Sequence, residues 1–379
     1  VETTVGEGDR LTAVAVERPG QVVAVVHRAT IDLEEHRAAN RVGRDREVER
    51  FTRVDLERVR HGTELVGQLQ RHLAGVVGQQ AQLEGYRHTA HLLSYGFDLY
   101  MESDPLRPAF VPCAMPHKKM LGDNTDSIYY FTQTRGDQSY RIWGNRGDAC
   151  FLSFCFYGGD PDGSWSDSIA LNVNHAEIDF DEDGSFELFV GPDEPDEPNH
   201  FTVGPRSVCL ITREYYFDRN SDRIAQLHIE NRADVPPPGP ISDQELADKI
   251  RAVTNFVSQT CAIVPLAKSE EPNVIGEPFT FEPDGMGWGT PDNIYAVAQY
   301  ELADDEVLVI QGRSPKCCYW GVQTWNPYMQ SDDYRYHRVS LNSKQTELNE
   351  DGTWTVYLAK EDLGIPNWIG TGGHSEGLI

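Results

Sequence analysis

One six-residue stretch recurs in this chain, and the register of the recurrence holds for so long that any fold must contain two copies of one unit. Asp181-Glu182-Asp183-Gly184-Ser185-Phe186 is answered 168 positions later by Asn349-Glu350-Asp351-Gly352-Thr353-Trp354. Each is an acidic turn ending in Gly, read as a hairpin tip between strands, and each leads into a β-rich run, Phe186 to Val190 or Trp354 to Leu358. The same offset pairs Ile142 with Ile310, Gly144 with Gly312, Cys150 with Cys318, Pro198-Asn199 with Pro366-Asn367, and Leu210-Ile211 with Leu378-Ile379. Upstream, Asp292, Ile294, Tyr295 and Gln299 match Asp126, Ile128, Tyr129 and Gln133 at an offset of 166, and Leu341-Asn342 answers Leu171-Asn172 at 170. Short apolar runs bounded by Gly, Asp and Asn at this spacing predict strands closed by turns.

A helical segment precedes each copy. Glu84 to Tyr95 reads as a helix with Tyr86, Ala90 and Leu93 on one face, and Ser242-Asp243-Gln244-Glu245 caps a second that runs to about Cys261. The expected fold is mainly β: two duplicated antiparallel β-sandwich, jelly-roll-like lobes, each preceded by a helix. Residues 84–234 form the helix and first repeat. Residues 235–379 form a stiff Val235-Pro236-Pro237-Pro238-Gly239 linker, a helix and the second repeat, which ends at Ile379 where the first copy's strand continues, so a truncated second copy is expected.

Residues 1–83 differ in kind. They hold no Lys, Met, Cys, Trp or Tyr and net to −1, whereas the rest of the chain carries −26 of the total −27. Such a segment cannot build much core. It reads either as a helical or disordered extension, with Arg44 to Val77 near helical spacing, or as GC-rich DNA translated in the wrong frame.

Charge and cysteine usage bound the partners. An acidic chain without clustered Lys and Arg is a poor nucleic-acid binder. No apolar run is long enough to span a bilayer, so no membrane partner is expected. Seven cysteines without C-x-x-C spacing, mostly within apolar runs, read as thiols in a reducing cytoplasm.

Residues 84–379 resemble the actinobacterial type of the domain-of-unknown-function 1214 family. The resemblance rests on Gly85-Tyr86-Arg87, on Met120-Leu121-Gly122-Asp123-Asn124 leading into Asp126-Ser127-Ile128-Tyr129, on Asp183 to Glu187, and on Asn367-Trp368-Ile369 before Thr371-Gly372. It implies a β-sandwich, often partnered with the related family numbered 1254, and no established reaction.

Four candidate sites emerge. Asp179, Asp181 and Asp183 before Gly184 spell the opening of a calcium loop, although the twelfth position is Val190 where an EF-hand has Glu, and a solvated turn explains the same residues. Gly373-His374-Ser375-Glu376-Gly377 matches a nucleophile elbow but is followed by a strand, which removes the required context. His88, His91, His175, His228 and His337 have no metal-site spacing; His175 with Glu177 and Asp179 is the weak catalytic candidate. Trp165 and Trp288 lie on Gly-rich loops, where an indole face stacks on a sugar. The expected function is small-molecule or glycan binding, extending to carbohydrate hydrolysis, in a groove between the lobes. A non-catalytic interaction module is the alternative.

Overall fold

The computed structural model describes residues 25–30, 79–193, 198–285 and 287–379. The Arg44 to Val77 helix and most of the acidic stretch 193–198 lie outside these. The protein is mainly β, with several open sheets, in the expected duplicated sandwich plan.

The first lobe is built from β2 (Val111–Cys113), β3 (Ser127–Gln133), β4 (Tyr140–Asn145), β5 (Phe151–Gly158), β6 (Ser168–Asn174), β7 (Ser185–Gly191), β8 (His200–Thr202), β9 (Ser207–Tyr215) and β10 (Gln226–Asn231). One sheet runs β2-β3-β9-β5-β6 and the other β10-β4-β7-β8. Between them the inward faces bury Ile142, Leu152, Phe154, Phe156, Val173, Phe186, Leu188, Val190 and Leu210. Each such side chain contributes about 1.5–3 kcal/mol on burial.

The second lobe repeats the order with shorter strands: β11 (Gln299–Glu301), β12 (Glu306–Arg313), β13 (Gly321–Gln323), β14 (Ser340–Asn342), β15 (Thr353–Ala359), β16 (Trp368–Gly370) and β17 (Glu376–Leu378). Equivalent residues take equivalent seats. Phe186 faces Gly144 across β7 and β4, and Trp354 faces Gly312 across β15 and β12. A Cβ at Gly312 would lie 2.3 Å from the Trp354 ring, so the glycine is what admits the indole. β7 with β8 and β15 with β16 are both parallel pairs. Both hairpin tips bend at a glycine with positive φ, Gly184 at 83° and Gly352 at 77°, and close with the same bonds, Gly184 N–H to Asp181 O and Gly352 N–H to Asn349 O. Their outgoing arms are strands, but the incoming arms are irregular and are held by a single asparagine clamp in each copy. Asn199 bonds both backbone groups of Asp179, and Asn367 both of Glu347.

Within the N-terminal extension, Val25–Thr30 forms a strand, β1, in contrast to the helical or disordered expectation for that region. It pairs antiparallel with β12 at the edge of the sheet β1-β12-β15-β16. This is the seat that β10 occupies beside β4 in the first lobe.

The helices depart from a one-per-lobe arrangement. α1 (Gln79–Gly96), continued by a π-helical turn at Phe97–Met101, packs against α2 (Asp243–Ile263), and together they cover the outer face of the first lobe's five-stranded sheet. Ser242 caps α2 as its sequence predicts, its Oγ accepting from Glu245 N–H. Leu92, Tyr95, Leu99, Val253 and Phe256 pack with Phe131, Tyr157 and Ile211 of the sheet. The buried face of α1 carries His88, Thr89, Leu92 and Tyr95, while Ala90 is exposed. Tyr86 and Leu93 do pack, partly buried, on the core, and contacts with α2 and with Tyr328 of the second lobe set the rest of the covered face. Among the described residues no helix is long and apolar enough to cross a membrane.

Candidate functional site

Strand β9 runs Leu210-Ile211-Thr212-Arg213-Glu214-Tyr215 and is buried on both faces. Alternation sends Arg213 and Glu214 to opposite sides of the sheet, so they cannot neutralise one another. Arg213 points toward the helix-covered face, at the end where the segment 287–295 crosses from the first lobe toward the second. Directly beside it on β5 stands Ser153, and beside Ser153 on β6 stands Asn174. Arg213 is 6 % exposed. Its Nη2 donates to Tyr157 Oη at 2.9 Å and to Trp288 O, while Nη1 has no hydrogen-bond partner. Among the described residues no carboxylate lies within 4 Å of the guanidinium.

The surroundings are aromatic hydroxyls. Tyr157, Tyr215 and Tyr295 stand within electrostatic reach of Arg213, and so does Tyr129. Burial pushes the hydroxyls of Tyr157 and Tyr215 well above the phenol range, so these groups stay neutral donors. Asn293 Nδ2 donates to the hydroxyl oxygens of both Tyr215 and Tyr295. Asp126 to Tyr129 and its repeat Asp292 to Tyr295 both come to this seam. Asp126 accepts from Tyr319 at 2.9 Å and from Asn342 at 2.9 Å, and Asp292 is held by Asn172 at 2.7 Å and Asn174 at 3.2 Å. Tyr319 of the second lobe lies 4.9 Å from the Tyr215 ring, centroid to centroid.

A second polar cluster lies where α1 meets the second lobe. His374 Nε2 bonds Glu84 Oε1 at 2.6 Å, and its Nδ1 bonds Thr371 O at 2.9 Å with Asp332 Oδ2 alongside at 3.5 Å. Both nitrogens face only acceptors, so the ring is a doubly protonated imidazolium. Burial pushes His374 down, but the hydrogen bonds and charges of Asp332 and Glu84 outweigh it and raise it to about 10. Gly372, at φ 64°, makes the approach possible: a Cβ there would lie 2.0 Å from Asp332 Oδ2. Nearby, Lys119 Nζ donates to Ser331 O, Ser331 Oγ and Asp332 O, and Asp123 accepts from Ser331. His88 is neutral, burial pushing it down to about 3. With every hydrogen of His374 and Lys119 engaged, this cluster works as a brace between helix and lobe.

The sequence candidates are dispersed by comparison. His175 lies edge-on to Phe151 and feels Asp292, at the margin of the Arg213 seam, whereas Glu177 and Asp179 are exposed on the far side of the turn. Asp181 and Asp183 accept from Ser185 within the tip, and among the described residues no three His, Cys, Asp or Glu are grouped to hold a metal ion. Trp165 and Trp288 do meet, with centroids 6.3 Å apart, but Trp288 stacks on Phe256 at 5.6 Å and Trp165 Nε1 bonds Thr260, so both brace α2. Ser375 precedes β17 and accepts from Lys360. Cys317 and Cys318 are exposed, unlike the buried Cys113, Cys155, Cys209 and Cys261.

Arg213, Glu84, His374 and Asp332 carry the geometry and were not singled out by spacing. The available signal was Arg213-Glu214 inside an otherwise apolar strand.

No family model matches the chain and no curated protein matches it. Among solved structures it is similar to an uncharacterised protein from Burkholderia cenocepacia, with 26% identity, a TM-score of 0.77, and coverage of 83% of this chain and 89% of that one. The VPA0106 protein from Vibrio parahaemolyticus aligns at 11% identity and a TM-score of 0.41, over 77% of this chain and 92% of that one.

Proposed function

We propose that this chain binds a small molecule at the seam between its lobes, against the Tyr129–Arg213–Ser153 row of the first lobe and beneath the segment 287–295. One observation carries the reading: both copies of the duplicated Asp-to-Tyr segment deliver a tyrosine to the same buried polar patch, around Tyr215. Tyrosines combine a flat apolar wall with a hydroxyl that fixes orientation, which is the usual make-up of a ligand pocket. Unlike the brace at His374, where every hydrogen is engaged, this patch leaves Arg213 Nη1 and Ser153 Oγ unpartnered. In this reading the indoles of Trp165 and Trp288 support the site from behind, through their contacts with Phe256 and Thr260. We extend the proposal to the domain-of-unknown-function 1214 family, whose Asp126 to Tyr129 motif would then be a ligand-site motif.

The test is a thermal-shift screen of small polar metabolites, with sugars as one arm, followed by hydrogen exchange on each hit. Ligands of this site protect the amides of 287–295 and 126–130 together. Hits that protect neither segment, or a broad library without a hit, overturn the reading.

A further inference from the structure

We propose that Arg213, assisted by Ser153, is the recognition point for the carboxylate of a small organic monoanion. The inference rests on the seam being a ligand site and adds the class of ligand.

The argument begins with what burying a guanidinium requires. A charge removed from water needs a counter-charge, and each of its N–H groups needs an acceptor. Arg213 has two neutral oxygen acceptors, both on Nη2, and Nη1 presents its two hydrogens to no acceptor. Ser153 is its cross-strand neighbour on the same face, fully buried, and its Oγ also lacks a partner. Two unpartnered donors therefore stand side by side on adjacent strands, where Cβ atoms are about 5 Å apart. The hydroxyl oxygens of Tyr215 and Tyr295 already accept from Asn293, which leaves their protons free to donate. Each group in this set has a hydrogen to give, and the guanidinium can do nothing else. The complement is an acceptor-only group carrying negative charge.

Charge balance selects among anions. The guanidinium supplies one positive charge, and the nearby Asp292 is bonded by the neutral amides of Asn172 and Asn174 and makes no ion pair with it. A singly charged carboxylate matches the one guanidinium, whereas a dianionic phosphate would bring a second negative charge into a buried place that already holds Asp292. With Nη2 already engaged, one carboxylate oxygen can accept from Nη1 and the other from a neighbouring hydroxyl. The tyrosine rings then face the body of the molecule, which favours a flat or apolar remainder.

Three probes and two variants test this: benzoate, the neutral isostere benzamide, and phenyl phosphate, titrated calorimetrically against the full chain, Arg213→Met and Ser153→Ala. Benzoate should bind the parent chain, with benzamide and phenyl phosphate each weaker by about tenfold or more. Arg213→Met should abolish the preference for benzoate over benzamide, and Ser153→Ala should weaken benzoate by about threefold to tenfold. The methionine variant has its own readout. Tyr157 Oη keeps Trp288 O at 3.1 Å and Gly289 O at 2.7 Å as acceptors for its one hydrogen, and removing an uncompensated buried charge should raise the melting temperature of the ligand-free protein. A lower melting temperature with the preference for benzoate intact makes Arg213 structural and overturns the proposal. Phenyl phosphate binding tighter than benzoate overturns the carboxylate assignment. Equal binding of benzoate and benzamide, with 287–295 protected, refutes the anion reading but leaves the seam as a site. Absence of any binding sinks both.

Discussion

Replacing His374 by alanine should cost stability in a way that depends on pH, and the dependence can be worked from the geometry. His374 bridges Glu84 on α1 to the loop at Asp332, with side chains only 11% and 12% exposed for the His374–Glu84 pair. Its charged form is favoured from an ordinary value of 6.5 to about 10, equivalent to ~4–5 kcal/mol by linkage. Breaking a buried pair and leaving one charge uncompensated costs about 3–5 kcal/mol, which is the same range. The native state holds the proton more tightly than the unfolded chain. The contribution is therefore fully present below pH 6.5 and is lost as pH rises through about 10. Urea unfolding of the parent chain and His374→Ala should differ by about 3–5 kcal/mol at pH 6. That difference should shrink by roughly 1.4 kcal/mol per pH unit above 6.5. Taking the difference between the two proteins cancels the titrating groups that do not interact with His374, leaving its partners Glu84 and Asp332. A difference that stays constant from pH 6 to 9.5 would falsify the imidazolium assignment, because a neutral histidine in the same seat gives no slope.

Two further outcomes follow from the same reasoning. Glu214 is fully buried beneath the first sandwich, and burial, outweighing its bonds to Tyr216 and Thr212, raises its carboxyl to about 8. Its folded form keeps a proton that the unfolded chain releases, so stability falls between pH 4.5 and about 8; Glu214→Gln should remove that slope and leave the protein more stable by about 2–4 kcal/mol above pH 8, measured by urea unfolding. The paired clamps Asn199 and Asn367 each hold the backbone entering a turn, with bonds of 2.8 and 2.9 Å to Asp179 and 2.8 and 2.8 Å to Glu347. Alanine at either should cost about 1–2 kcal/mol, and the two losses should add, because the clamps sit in separate lobes and share no partner; strong coupling between them would count against independent lobes.

The duplicated plan was legible because local chemistry carries it. A glycine at φ near +80°, an acidic residue before it and an aromatic two positions after are demanded by the turn itself, so they appear in both copies at one spacing. The Ser242 cap is legible for the same reason. The brace and the seam were not legible because their members meet only in space. Glu84 and His374 are 290 residues apart, and Lys119 and Ser331 212 apart. The face of α1 was misjudged because Tyr328 of the second lobe stands against His88 and α2 meets Thr89 at Cys261, burying polar residues that a hydrophobicity pattern assigns to solvent. Trp165 and Trp288 were legible as residues of Gly-rich loops, but their packing on α2 was not, where Phe256 stacks on Trp288 and Thr260 accepts from Trp165 Nε1.

The exchange of helices explains why polar groups gather where they do. α2 belongs by sequence to the second repeat but packs on the first lobe's sheet, and α1 precedes the first repeat but is bonded through Glu84 to the second lobe. Both helices therefore cover the first lobe while α1 also holds the second, and the lobes cannot separate without breaking the buried Glu84–His374 pair. The seam between them is consequently fixed. Fixed geometry is what a buried guanidinium with open hydrogens needs: were the lobes free to part, water would solvate Arg213 and its preference for an anion would fade with the rise in local dielectric. On this argument the brace at His374 and the donor row at Arg213 are coupled. His374→Ala should loosen the seam and weaken benzoate binding although His374 is no part of the donor row, whereas Asn199→Ala, which acts on an exposed turn of the first lobe, should leave it unchanged.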